Sequence, residues 1–192
     1  MMDVKINCEE GKFKFRVCGI LKVNNKYLTV KIADNDFYCL PGGHVELGED
    51  TDHAVLREMK EELGYEVKIT KLVSIIQNFF KSKDNTIFHE LGYYYIVEPV
   101  NINDVNTNDY TIQELDKGKL VNLEFKWFTI EELQNAKFLP EVLKTQLTND
   151  VLVNIITKDW WKLILFLYKK RHLQVFKIML IAHLQYVSLL EV

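Results

Sequence analysis

Apolar runs bounded by polar clusters divide the first part of this chain into predicted strands. Residues 12–23 and 27–32 are rich in aromatic and β-branched residues, which favour extended structure. Asn24 and Asn25 lie between them and are typical of a tight turn. A further short extended segment is predicted at 37–40. The chain therefore begins with a hairpin followed by a third, shorter strand.

The apolar period then changes to that of a helix. Val55, Met59 and Leu63 recur at helical spacing, so we predict a helix over 52–63 with these residues on its buried face. Gly64 stands where a helix C-cap glycine belongs. Three residues at the start of the helix are credible N-caps: Asp50, Thr51 and Asp52.

The second half returns to strand-like runs and ends its folded part in helices. Strands are predicted at 66–80, 87–99 and 120–128, and helices at 130–136 and 140–148. Asn and Asp crowd the segment 100–119, which we interpret as a loop. This order predicts an α/β (α+β) fold in which a mixed β-sheet lies between helices, as an α/β/α sandwich.

The composition shifts at the C-terminal end. We predict one domain over 1–157 and a helical C-terminal extension over 158–192, where apolar runs alternate with Lys and Arg. Its apolar runs are too short to span a bilayer. One interpretation is an amphipathic helical pair that docks on the domain or forms a homodimer. The other is a helix lying on a membrane surface.

Charge and cysteine usage narrow the class of protein. The net charge of −3 gives no reason to expect general nucleic-acid binding. The three cysteines show neither metal-ligand spacing nor a disulfide framework. The first residues, MMDVKINCEEGK, contain no apolar segment typical of a secretory signal, so we expect a cytoplasmic protein.

Three carboxylates on the predicted helix carry the first candidate chemistry. Glu58 lies three and four residues before Glu61 and Glu62, so all three share one helix face. Like charges at this spacing destabilise a helix unless a cation binds between them. Carboxylate oxygens are the ligands that Mg²⁺ prefers, together with water and substrate phosphate.

The surrounding spacing is more specific than three glutamates. The segment 43–65 follows the pattern G-x(5)-E-x(7)-R-E-U-x-E-E-x-G-U, where U is a bulky apolar residue, and LPGG at 40–43 leads into it. Tyr65 stands at the last position, where an aliphatic residue is usual. In this pattern the chain resembles the Nudix (MutT-like) hydrolases over about residues 12–148. The matching positions are Gly43, Glu49, Arg57, Glu58, Met59, Glu61, Glu62 and Gly64.

The resemblance implies a role for each matched residue. The carbonyl of Gly43 and the side chains of Glu58, Glu61 and Glu62 match metal ligands of the family. Glu58 also matches a position that serves as general base in some members, and we take Glu58 and Glu61 as the candidate catalytic residues. Glu49 and Arg57 match a structural ion pair. The implied cofactor is Mg²⁺, with Mn²⁺ as a substitute.

A fourth carboxylate outside the pattern is a candidate for substrate binding. Glu90 lies at the start of the predicted strand 87–99, which lines the substrate cleft in related enzymes. A further metal ligand and a base are its alternative roles. It competes with Glu114 and Glu124, and each of the three can also be an ordinary solvated carboxylate.

Two functions follow from the resemblance. The first is a Mg²⁺-dependent hydrolase that cleaves the diphosphate linkage of a nucleoside diphosphate joined to a group X, with a small nucleotide as partner. The second is a non-catalytic nucleotide-sensing module on the same scaffold. The proline typical of ADP-ribose enzymes is missing near Phe79, and the tyrosine typical of dinucleoside-polyphosphate enzymes is missing near Lys83. The sequence therefore favours a nucleoside triphosphate or a nucleotide sugar.

Overall fold

A mixed β-sheet forms the centre of the molecule. A computed structural model describes residues 2–32, 35–116, 118–148 and 152–158. Its strands are β1 (Lys5–Asn7), β2 (Lys12–Val23), β3 (Lys26–Ile32), β4 (Val67–Lys81), β5 (Ile87–Pro99), β6 (Tyr110–Asp116), β7 (Lys119–Phe128) and β8 (Val153–Lys158). They are ordered β6-β7-β3-β2-β5-β4-β8, with β1 paired to β2. The predicted α/β (α+β) class with a mixed sheet is confirmed.

Strand β2 joins the two halves of the sheet. It pairs in parallel with β5 from Lys12 to Leu21 and antiparallel with β3 only near the hairpin that connects them. Asn24 and Asn25 form the turn of that hairpin with φ of 49° and 62°, the left-handed conformation that asparagine tolerates well. The predicted turn is therefore confirmed.

A loop takes the place of a strand along the middle of the β2 edge, between the segments paired with β1 and β3. The amide of Gly19 donates to the carbonyl of Pro41, and the amide of Val17 donates to the carbonyl of Gly43, each at 3.0 Å. The amide of Val45 completes the ladder by donating to the carbonyl of Phe15, also at 3.0 Å. Backbone bonding thus fixes the 41–45 loop against the sheet.

Helices cover both faces of the sheet. Helix α1 (Thr51–Leu63) packs Val55 and Met59 into one core, while α2 (Ile130–Asn135) and α3 (Leu143–Gln146) belong to the other. Strand residues alternate between the two cores, because successive side chains point to opposite faces. The sheet is therefore enclosed, as the predicted sandwich requires.

Helix α1 is capped at both ends by residues that the sequence indicated. The Asp50 carboxylate accepts a hydrogen bond from the amide of His53, so Asp50 is the N-cap among the three candidates. Gly64 ends the helix with φ of 78°, and its amide donates to the carbonyl of Lys60. The caps fix where α1 begins and ends, and with it the position of the three glutamates.

Some predicted elements were wrong. The loop predicted over 100–119 contains a 3₁₀ helix (Ile102–Asp104) and the strand β6, which pairs with β7 along its whole length. Asn and Asp dominate the start of this segment and obscured the strand-forming residues after Asp109. The helix predicted over 140–148 shrinks to the four residues of α3. Strands β1 and β8 were not predicted.

Beyond residue 158 the predicted C-terminal extension lies outside the described residues. The domain boundary before it, its helical pair and the homodimer it would form therefore stay predictions. Within the described ranges, no helix combines the length and apolarity that a transmembrane segment needs.

Candidate active site

The Glu58 carboxylate lies directly against the backbone of Gly43. A Cβ atom at Gly43 would stand 2.3 Å and 2.5 Å from the two Glu58 carboxylate oxygens, so the missing side chain makes room for the acid. The side chain of Glu58 is only 14% exposed. Burial raises its pKa, and the Arg57 guanidinium opposes that rise.

Glu62 is held one residue earlier on the same loop. Its Oε2 accepts a hydrogen bond of 3.0 Å from the amide of Gly42. Burial raises the pKa of Glu62 to about 8, and the charge of Glu58 adds to the rise, although the bond from Gly42 opposes it. The loop and the helix thus bring together two acids that are costly to ionise in each other's presence.

Arg57 braces the loop against the helix. Its Nε and Nη2 each donate to the Glu49 carboxylate at 2.9 Å, a bidentate pair, and Nη2 also donates to the carbonyl of His44 at 2.9 Å. Its Nη1 donates to Glu58 at 2.7 Å and to Glu61 at 3.1 Å. Arg57 on the helix and Glu49 on the loop thus form an ion pair.

The third glutamate is more open than the other two. The Glu61 side chain is 61% exposed, and its charge contributes to the raised pKa of Glu58. Within the described ranges, no three His, Cys, Asp or Glu side chains already surround one common point. Glu58 and Glu61 instead share the Nη1 group of Arg57 as a cationic donor.

The donor set nevertheless fits a hard divalent cation. Glu58, Glu61, Glu62 and the Gly43 carbonyl offer only oxygen atoms, which suit Mg²⁺. Burial raises the pKa values of the neighbouring Glu58 and Glu62, so ionising both costs free energy. A bound cation would lower that free-energy cost. The carbonyl of Gly43 already accepts the bond from Val17, but a carbonyl has a second lone pair.

Arg16 is a charged residue of this region that the sequence analysis missed. Its Nη2 donates to the carbonyl of Gly42 at 2.8 Å, and its Nη1 lies 3.9 Å from Glu90 Oε2. The signal was visible in KFKFR at 12–16, because alternation places Lys12, Lys14 and Arg16 on one face of a strand. Glu90 is buried on β5, and Arg16 is its charged neighbour from β2.

The other two candidate carboxylates have different surroundings. Glu114 is exposed on β6, although its charge contributes to the raised pKa of Glu62. Glu124 accepts a hydrogen bond from the Tyr38 hydroxyl at 2.6 Å and pairs with Lys31 at 2.7 Å. These contacts give Glu124 a structural partner on each side.

The match of this chain to a known domain identifies its family. The model of the NUDIX domain matches residues 13–146, and the chain belongs to that family. The crystal structure of a NUDIX hydrolase from Nitrosomonas europaea shares the fold, with a TM-score of 0.52 and 18% identity over 75% of this chain and 78% of that one.

Two curated relatives match a shorter segment. An ADP-ribose pyrophosphatase of Methanocaldococcus jannaschii is 44% identical over 62 residues, which are 31% of this chain and 37% of the relative. The nucleoside triphosphatase NudI of Escherichia coli is 36% identical over 61 residues, which are 29% of this chain and 43% of the relative. The matches thus cover less than half the length of either relative.

Proposed function

We propose that this protein is a divalent-metal-dependent hydrolase that cleaves the diphosphate linkage of a nucleoside diphosphate joined to a group X. The observation that carries the proposal is the pair of half-buried acids, Glu58 packed on Gly43 and Glu62 bonded to Gly42, with the exposed Glu61 beside them. The charge of Glu58 opposes ionisation of Glu62, so a cation would stabilise the pair, and an all-oxygen donor set favours Mg²⁺ or Mn²⁺.

The proposed reaction is attack of water on one phosphorus atom. A new P–O bond forms, the bridging P–O bond breaks, and a nucleoside monophosphate and a phosphorylated X leave. The water loses one proton, which a carboxylate accepts, and Glu58 and Glu61 are the candidates for that role. If the substrate is a nucleoside triphosphate, the second product is pyrophosphate.

The chain's own residues supply the framework for this step. Gly43, Glu58, Glu61 and Glu62 would hold the metal, which would neutralise phosphate charge and lower the pKa of the attacking water. Arg57 donates hydrogen bonds to Glu58 and Glu61 on its own helix. Its bidentate bond to Glu49 on the loop keeps the guanidinium in place. The two caps of α1 keep the acids in register with the loop.

Two substrate classes are supported by different considerations. One relative is an ADP-ribose pyrophosphatase and the other a nucleoside triphosphatase, so the similarity alone does not identify X. The sequence lacks the downstream proline typical of ADP-ribose enzymes. We therefore propose a nucleoside triphosphate or a nucleotide sugar first, with ADP-ribose as the competitor.

The test is release of phosphate and nucleotide products from a panel of NTPs, dNTPs, nucleotide sugars, ADP-ribose and dinucleoside polyphosphates, with Mg²⁺ or Mn²⁺. Glu61→Gln and Glu62→Gln are compared with Glu66→Gln, which removes an exposed carboxylate just beyond α1. Turnover that EDTA and both site variants abolish, but Glu66→Gln keeps, is the expected result. No turnover with metal-dependent nucleotide binding intact would favour the sensing module.

A further inference from the structure

Three cations line one face of β2 and lead towards the acidic centre. Lys12 is exposed, Lys14 is half-buried, and Arg16 lies furthest in, beside the glycine loop. Their side chains share a face because they stand two residues apart on a strand. The ring of Phe88 lies alongside, with Lys14 Nζ 4.8 Å from its centroid. The face is thus a cationic track that runs inward from solvent.

Arg16 has donor capacity that the described residues do not use. Its Nε is enclosed and has no hydrogen-bond partner among them. Its Nη1 lies 3.9 Å from Glu90 Oε2, beyond hydrogen-bonding distance. Buried donors are almost always satisfied, so an enclosed Nε without a partner among the described residues points to a ligand oxygen. An arginine fork suits the paired oxygens of a phosphate.

A single residue, Gly42, connects this track with the nearest carboxylate. The amide of Gly42 donates to Glu62, and the carbonyl of the same residue accepts from Arg16. Arg16 and Glu62 therefore bind the same glycine, one at its carbonyl and the other at its amide.

We propose that Arg16 and Lys14 bind the phosphate group of the substrate that lies next to the one held at the carboxylates. Glu90 orients the guanidinium of Arg16 from the neighbouring strand. The inference rests on the proposed function, because it assigns the second of two linked phosphates. It makes Arg16 a substrate-binding residue rather than a support of the loop.

The test is the binding of inorganic pyrophosphate to the full-length protein in Mg²⁺, measured by calorimetry. Arg16→Gln removes the charge and the fork, and Arg16→Lys keeps the charge alone. Because Arg16→Gln removes a charge-assisted hydrogen bond to phosphate, it should weaken pyrophosphate binding about 10- to 100-fold. The affinity of Arg16→Lys should lie between those of Arg16→Gln and the unchanged protein. Lys14→Gln, at a more exposed position, should weaken it about fivefold.

Lys22→Gln is the matched control, because Lys22 is an exposed cation on the same strand and face, far along from the loop. It should bind pyrophosphate as the unchanged protein does. Thermal unfolding of each variant shows whether it is folded. If Arg16→Gln does not fold, Lys14→Gln decides the question.

Binding within about twofold of the unchanged protein in a folded Arg16→Gln variant, or in Lys14→Gln when the former is unfolded, would overturn the proposal. Absence of pyrophosphate binding in the unchanged protein would overturn it too. Failure of the proposed function looks different, because it is the absence of turnover across the substrate panel. Turnover with an unchanged KM in Arg16→Gln would remove only the inference.

Discussion

Replacing Gly43 by alanine places a methyl group where the Glu58 carboxylate now lies. The new Cβ would stand 2.3 Å from the nearer carboxylate oxygen, whereas ordinary contacts begin at 3.4 Å. The acid must therefore withdraw by roughly 1 Å, which stretches its 2.7 Å bond to Arg57. The backbone at Gly43 is not in the left-handed region, so the substitution acts through the carboxylate and not through strain.

The expected effect is large on the site and small on the fold. A displacement of about 1 Å at a reacting centre costs roughly 100-fold in rate. Weakening one charge-assisted hydrogen bond costs about 1–2 kcal/mol, which lowers the Tm of a chain this size by a few degrees. Metal affinity should fall together with the rate, because Glu58 is a proposed ligand.

The assays are product release with the best substrate of the panel, Mn²⁺ binding followed by electron paramagnetic resonance, and thermal unfolding. Gly118→Ala is the control: it has φ of 79° and open space around its Cβ, so it loses stability through backbone strain alone. The reasoning is refuted if Gly43→Ala keeps full turnover and unchanged Mn²⁺ affinity. Equal loss of activity in Gly118→Ala would show that stability and not the carboxylate is responsible.

Three further predictions follow from contacts elsewhere. Arg57→Lys loses the bidentate fork and should lower the free energy of unfolding by about 1–3 kcal/mol in urea titrations, and an unchanged midpoint would contradict the bracing role. Thr129→Ala removes one half of the capping box at the start of α2 and should cost about 1 kcal/mol by the same measurement. Burial raises the pKa of Cys18 to about 12 and that of Cys39 to about 11. At pH 8 iodoacetamide should therefore label the exposed Cys8 first, as followed by mass spectrometry. Equally fast labelling of all three cysteines would contradict the burial of Cys18 and Cys39.

The parts of the fold that local signals specify were predicted from the sequence. The asparagine turn, helix α1 and its glycine cap each depend on residues within a few positions of one another, and the structure has all three. Strand β6 was missed because the Asn and Asp residues before it obscured the β-forming residues that follow Asp109. Strands β1 and β8 are short edge elements, and their pairing is a long-range property that no local pattern reports.

The candidate site divides in the same way. The spacing of Glu58, Glu61 and Glu62 is enough to place them on one helix face, because helical geometry alone determines which residues are neighbours. Arg16 lies far from them in sequence, and only the folded loop brings it within 2.8 Å of the Gly42 carbonyl. Its alternation with Lys12 and Lys14 was visible, but the same pattern is typical of any solvated strand face.

The ladder between β2 and the 41–45 loop has a consequence for solubility. An unpaired strand edge offers backbone donors and acceptors to other chains, and proteins commonly cover such edges. Here the cover is the glycine loop of the candidate active site itself. Substitutions that detach the loop are therefore expected to expose unpaired backbone donors and acceptors of β2 and to promote self-association. Loss of activity and aggregation would then arise from the same event.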